Sequence, residues 1–346
     1  MSGLSNATAR VAGAGRSGSL DGSGGEPPTL IAAGPHRWRV RRTGSGPVCV
    51  LLHGTGASLH SWTGVAPLLA ESHTVVTLDL PGHAATCTRP GASLSLESMA
   101  RDLGELFDML ELDPALVVGH SSGAALVAEL ALNGRLDRAH LVGIAPAILL
   151  LDGLAGTVFP PLARVAANIG WLPKLFAHRA RDPRQVRRLL DGTGSRLGDA
   201  ALADYGRLFS DPDHVAGVLR MMAEWDLVRL DGRLDRIAAP FLLLAGANDH
   251  TVPLRNAYRT AARLPNATLE VLDGLGHLAH EEAPVRVVEH ILSFVTNPVT
   301  DDIADPADDP VADPATVAAA TPVATTAATP APAVTPPAAA TERTHR

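Results

Sequence analysis

The chemistry-bearing stretch of this chain is Gly119-His120-Ser121-Ser122-Gly123. It follows the apolar run Leu116-Val117-Val118 and precedes the helix-like run 124–132. A G-x-S-x-G motif between a strand and a helix puts its serine on a tight turn, with the hydroxyl raised above the sheet edge. Small residues on both sides are needed because that turn is cramped and the nucleophile's backbone is strained. In this setting Ser121 reads as a nucleophile for hydrolysis or acyl transfer. An ordinary glycine-rich turn is the bland alternative, and the flanking strand and helix weigh against it.

A serine needs a base, and the base needs a group to orient it. Asp249 closes the stretch Ala245-Gly246-Ala247-Asn248-Asp249, after the strand-like Phe241-Leu242-Leu243-Leu244. His277 closes Gly274-Leu275-Gly276-His277, after Leu269-Glu270-Val271-Leu272. Alone, such an aspartate is a solvated turn residue and such a histidine is structural. Together, in the chain order serine, acid, histidine and each after a strand, they read as a triad. Such a triad needs no metal or organic cofactor. His280 stands three residues beyond His277 and is followed by Glu281 and Glu282, which invites a zinc reading. A zinc site takes three or four converging ligands, and nothing else in the sequence points to one. His277 is therefore the expected base and His280 a structural residue.

The elements that must position these loops alternate strand and helix. Strands are expected near 38–42, 48–52, 74–78, 116–119, 140–144, 241–245 and 268–272. Helices are expected near 61–71, 96–112, 122–133, 255–263 and 284–295. That rhythm implies an α/β fold, a mainly parallel sheet with helices on both faces. Asp79, in Asp79-Leu80-Pro81-Gly82-His83, reads as a turn former.

Over roughly residues 38–296 the chain resembles the α/β-hydrolase superfamily. The resemblance rests on LLHGTGASLHSW (51–62), VVTLDLPGHAAT (75–86), LVVGHSSGAALVAELAL (116–132), LLLAGANDHTVP (242–253) and GLGHLAHEEAP (274–284). It implies that the His53-Gly54-Thr55-Gly56 loop supplies one oxyanion donor, the Thr55 backbone N–H. The second would be the N–H of Ser122, the residue after the nucleophile. Within the superfamily the chain is most similar to the bacteriochlorophyll-biosynthesis hydrolases grouped as magnesium-chelatase accessory proteins. The supporting stretches are VGIAPAILLLDGLAGTVFPPLARVAA (142–167), RDPRQVRRLLDGTGSRL (181–197) and HVAGVLRMMAEWDL (214–227). That group implies a role near magnesium insertion, a porphyrin or its methyl ester as substrate, and magnesium chelatase as a partner. Two departures stand out: Ala84-Ala85-Thr86 where such hydrolases often carry a glycine, a small residue and a serine, and the long C-terminal tail.

Residues 147–236 break the strand–helix rhythm and read as a helical cap inserted between two strands of the core, which would be 29–146 and 237–297. The cap has an apolar part, with Leu149, Leu150, Leu151, Val158, Phe159, Pro160 and Trp171. It also has a basic part, with Lys174, Arg179, Arg181, Arg184, Arg187 and Arg188. An apolar lid suits a large hydrophobic substrate and excludes water, and the cations could pair with its carboxylates. The plainer reading is core packing for the first set and a solvated helix face for the second. Met221, Met222 and Trp225 have the spacing of one helix stripe and read as core.

Composition sets the remaining bounds. The 346 residues are 46% hydrophobic with a net charge of −7. That is ample for one large core and argues against nonspecific nucleic-acid binding. Residues 1–28 are rich in Gly and Ser, and 298–346 in Ala, Pro and Thr; both are expected to be disordered. No basic-then-apolar leader and no apolar run of ~18 residues is found, so neither a signal peptide nor a transmembrane helix is expected. Two cysteines make no disulfide framework and fit a cytoplasmic protein, Cys49 in a buried strand and Cys87 in a loop. Besides a hydrolase of pigment synthesis, two other classes stay open: a generic carboxylesterase, and a non-catalytic accessory protein that binds a tetrapyrrole or the chelatase.

Overall fold

A computed structural model describes residues 27–150 and 169–296. The chain divides into two units, Met1–Pro298 and Val299–Arg346, and all described residues lie in the first. The tail 298–346, residues 1–26 of the N-terminal segment, and Leu151, Val158, Phe159 and Pro160 of the apolar lid lie outside the described residues.

The described strands are β1 (Thr29–Ala33), β2 (His36–Thr43), β3 (Val48–Leu52), β4 (Thr74–Leu78), β5 (Cys87–Thr88), β6 (Pro114–His120), β7 (His140–Ile144), β8 (Phe241–Gly246) and β9 (Ala267–Leu272). They form one sheet in the order β1-β2-β4-β3-β6-β7-β8-β9, with β5 paired to β2. From β4 to β9 every pairing is parallel, whereas β2 is antiparallel to β1, β4 and β5. The central strands are rich in Val, Leu and Ile because both faces are covered, with Cys49, Thr77 and Gly143 among them.

Side chains alternate between those faces. One face buries Val50, Leu52, Val76, Val117, Leu141 and Leu243 under α2 (Leu96–Met109) and α3 (Ser122–Leu132). The other buries Leu51, Val75, Val118, Val142 and Leu244 against Val287, Ile291 and Phe294. Those three lie on α11 (Pro284–Thr296), which follows α9 (Leu254–Ala261) and α10 (Ala279–Glu282).

Three local expectations are corrected. The single helix expected over 61–71 is a 3-10 turn, Leu59–Trp62, then a one-turn α1, Ala66–Leu69. Pro67 has no N–H to offer the Thr63 carbonyl, and Gly64 lies so close to Pro284 that an added Cβ would sit 3.0 Å from it. Strand β1 is not among the expected strands: Thr29-Leu30-Ile31-Ala32-Ala33 lacks polar–apolar alternation, and in the structure three of its five residues are exposed. A hairpin through Gly34, at φ +56°, pairs it with β2. Cys87 lies in the short bridge β5 instead of a loop, and it is exposed, while Cys49 is buried.

Between β7 and β8 the elements among the described residues are helices: α4 (Leu172–Arg179), α5 (Pro183–Asp191), α6 (Asp199–Phe209), α7 (Pro212–Glu224) and α8 (Leu227–Asp231), followed by a 3-10 turn, Leu234–Arg236. Asp-Pro pairs start α5 and α7. Asp182 and Asp211 cap them by accepting the Arg184 and Asp213 N–H groups, and Pro183 and Pro212 fill the first turn, where no amide hydrogen is needed. All six cations of the basic run are exposed; Arg184 pairs with Asp182 and Arg187 with Asp199. Met221 is buried in the core, Met222 and Trp225 pack against it, and Trp225 Nε1 donates to the Leu94 carbonyl. Among the described residues no helix is long and apolar enough to cross a membrane.

Candidate active site

Ser121 sits at the junction of β6 and α3 with φ +51° and ψ −115°. A serine at positive φ costs on the order of 1–3 kcal/mol and persists only where its surroundings impose it. Here its N–H donates to Ile144 O (2.9 Å), and its own carbonyl accepts from Ala124 N and Ala147 N (each 3.1 Å). Glycine on either side is a matter of space. A Cβ on Gly119 would lie 2.4 Å from the Gly123 backbone, and one on Gly123 would lie 2.3 Å from Leu52 O. The motif is thus a close crossing of β6, α3 and β3 that leaves the Ser121 side chain at the sheet edge.

His277 follows β9 and Asp249 follows β8. The structure brings both to Ser121. His277 Nε2 lies 3.1 Å from Ser121 Oγ, and His277 Nδ1 lies 2.8 Å from Asp249 Oδ2. A carboxylate can only accept, so the ring's Nδ1–H donates to Asp249 and Nε2 is left to accept from the serine. Asp249 is itself fixed, because Oδ1 accepts from Thr251 N (2.7 Å) and Val252 N (2.8 Å). All three residues are nearly buried, with exposures of 6–8%.

The loop carrying His277 is held from two sides. His120 Nε2 donates to the His277 carbonyl (3.0 Å), and Ser195 Oγ accepts from Leu278 N (2.8 Å). Sequence reasoning missed both partners. His120 is the variable position of the motif, and Ser195 lies 82 residues before His277 in chain, so no local signal marks either.

The loop after β3 lies beside the serine because Leu52 is in register with Gly119. A Cβ on Gly54 would fall 3.1 Å from Ser121 Cβ and 2.6 Å from His120 Nδ1, so only glycine fits. Thr55 comes next, with its residue exposed, while Ser122 is buried at the first turn of α3. Among the described residues, neither backbone N–H donates to a protein acceptor. His53 is pinned beneath them, with Nδ1 donating to Gly54 O (2.8 Å) and Nε2 accepting from Leu80 N (2.9 Å). Burial holds its pKa at about 3, so the ring is neutral. Asp79 does more than form a turn: Oδ1 accepts from Leu59 N (2.8 Å), and Oδ2 accepts from Ala85 N (3.2 Å) and Arg39 (3.4 Å).

His280 is separate from this chain of bonds. It is fully buried, with ring centroids 4.7 Å from Trp62 and 4.3 Å from His120. Burial, aided by the neighbouring His277, lowers its pKa to about 3. Its neighbour Glu281 is pushed up to about 8 by burial, although it accepts a hydrogen bond from Tyr205 (2.6 Å). Among the described residues, no three His, Cys, Asp or Glu side chains converge as metal ligands would.

A serine bonded through a histidine to an aspartate, all at the C-terminal ends of parallel strands, defines a protein class as well as a site. The chain belongs to the α/β-hydrolase family: residues 47–284 match the model of the alpha/beta hydrolase fold. Over 252 residues it is 42% identical to the magnesium-chelatase 30 kDa subunit of Rhodobacter capsulatus, covering 72% of this chain and 88% of that protein. It is 26% identical over 281 residues to a soluble epoxide hydrolase of Corynebacterium sp. (75% and 93% covered). Among solved structures, an α/β hydrolase fold protein from Burkholderia ambifaria superposes with a TM-score of 0.63 at 26% identity (78% and 99% covered). A thermophilic esterase from Thermogutta terrifontis, at 0.61 and 21% identity (78% and 98% covered), shares the fold.

Proposed function

We propose that this chain is a serine hydrolase acting on a carboxylic ester, with Ser121 as nucleophile, His277 as base and Asp249 as the group that orients the base. The observation that carries the reading is the continuous chain of bonds from Ser121 Oγ through the His277 ring to Asp249. Ser121 Oγ attacks the ester carbonyl as its proton passes to His277 Nε2. The oxyanion is met by the N–H groups of Thr55 and Ser122, worth several kcal/mol in such sites. His277 returns its proton to the leaving alkoxide, which departs as the alcohol. A water, deprotonated by the same nitrogen, then attacks the acyl-enzyme and releases the acid.

The helical segment between β7 and β8 serves in this reading as the cap, and the substrate is a porphyrin intermediate or its methyl ester. The support is the 42% identity to a protein named as a magnesium-chelatase subunit. The site of action would then be the cytoplasm, beside magnesium chelatase in bacteriochlorophyll synthesis. The relative's name also favours a second reading, in which the chain binds the chelatase or its tetrapyrrole and hydrolyses nothing.

A fluorophosphonate probe followed by mass spectrometry tests the chemistry. The adduct is expected on Ser121; a folded protein that stays unlabelled, or labels elsewhere, overturns the triad. Complementation with Ser121→Ala separates the two readings, because a binding role survives that change and a hydrolytic one does not.

A further inference from the structure

Helix α7 reaches the oxyanion loop through one side chain. His214 is 2% exposed, and its two ring nitrogens bridge two different loops. Nδ1 accepts from Ala84 N (3.0 Å), and an acceptor nitrogen in a neutral ring leaves the other as N–H. Nε2–H therefore donates to the Gly56 carbonyl, 3.1 Å away. The other end of Gly56 is held as well, because its N–H donates to His83 Nε2 (3.2 Å), whose Nδ1–H donates to Pro81 O (3.1 Å). Gly56 has φ +79°, so its flanking peptides adopt an orientation that the chain alone does not favour.

The bridge is mounted rigidly. A Cβ on Gly217 would stand 2.0 Å from Gly82 O, so α7 and the loop after β4 touch backbone to backbone. Further along α7, Glu224 accepts from Leu94 N (2.6 Å). The helix is thus fastened to the 80–95 stretch along its length, at Gly82, Ala84, Ala92, Ser93 and Leu94, and at His214 that seating passes on to Gly56.

We propose that His214 is a positioning residue for ester hydrolysis. Its bond to Gly56 transmits the seating of α7 to the 53–57 loop and holds the Thr55 N–H where the oxyanion forms. The proposal rests on Ser121 acting as the nucleophile.

Two amide substitutions separate the two bonds. In His214→Asn the side-chain oxygen falls near the Nδ1 position and can keep Ala84. In His214→Gln the amide nitrogen falls near the Nε2 position and can keep Gly56. Turnover of p-nitrophenyl acetate by the full chain is measured beside His214→Ala. Misplacing one donor is worth about ten- to a hundredfold in rate. We expect the Ala and Asn variants to lose that in kcat with KM within about twofold, and Gln to stay within about threefold of the parent. A merely structural histidine would make Asn and Gln equivalent and track the melting temperature. The proposal is overturned if all three variants keep the parental kcat, or if Gln is as poor as Asn. Amide exchange of the 53–57 stretch, read by mass spectrometry, gives the same ordering without catalysis: faster in Ala and Asn, unchanged in Gln. If the parent neither turns over ester nor takes a fluorophosphonate, the triad reading fails, and exchange alone decides the role of His214.

Discussion

The phenol of Tyr205 on α6 donates to the Glu281 carboxyl group over 2.6 Å, joining the helical segment to α10 (Ala279–Glu282) directly after the loop of His277. The Glu281 side chain is 7% exposed, and burial raises its pKa from 4.5 to about 8. The same burial and the facing carboxylate push Tyr205 well above its ordinary value of 10.

The burial of Glu281, which the Tyr205 bond only partly offsets, makes stability depend on pH. Between about 4.5 and about 8 the unfolded chain has released a proton that the folded chain still holds at Glu281, so this group's contribution falls as pH rises through that window. Above about 8 both states are ionised and the loss levels off. Glu281→Gln keeps an acceptor for Tyr205 and removes the titration. Urea midpoints at pH 5 and pH 8.5 should show the variant gaining about 2–4 kcal/mol relative to the parent at the higher pH. An equal pH response in the two proteins would show that Glu281 ionises normally.

His277 and His280 should separate cleanly by kinetics. His277→Ala is expected to lower ester turnover by about a thousandfold or more. His280→Ala opens a cavity between Trp62 and His120 and should cost about 2–4 kcal/mol of stability with turnover reduced less than tenfold. A larger kinetic loss from His280→Ala, with the fold intact, would reverse the assignment.

Gly54 is sensitive to a single methyl group. In Gly54→Ala the new Cβ meets His120 Nδ1 at 2.6 Å and Ser121 Cβ at 3.1 Å, so the loop must retreat from the serine. A fall in kcat of about ten- to a hundredfold is expected, with a small change in melting temperature. Unchanged kcat would mean that the loop carries no donor for the reaction.

On the proposed reading, a porphyrin should bind. Burying half of such a ligand's apolar face contributes several kcal/mol at ~25 cal/mol per Å², and ordering costs take back part. The exposed arginines of α5 would orient carboxylates more than add affinity, since exposed ion pairs are weak. Titration with protoporphyrin IX and its magnesium and monomethyl-ester forms, followed by Soret shift, should saturate below about 100 μM. No saturation, together with rapid turnover of short esters, would favour a generic esterase.

Much of this molecule is readable residue by residue, because its signals are local. The runs at 48–52, 74–78 and 140–144 form strands at those bounds, since a strand covered on both faces is dominated by apolar residues. The motif around Ser121 and the loops ending in Asp249 and His277 follow strands whose common direction brings their ends together. The rest was decided by contacts across the fold. Pro67 and Gly64 broke an expected helix where the chain meets Pro284, more than 200 residues on in sequence. The basic run could have lined a pocket or faced water, and the packing of α4 and α5 left it in water. His214 carries no local sign of its two bonds, because its partners Ala84 and Gly56 lie 130 and 158 residues away. Hydropathy and spacing report what a residue does to its own element. A hydrogen bond between distant elements exists only once tertiary packing has set their distance and angle, and the support of this site is made of such bonds.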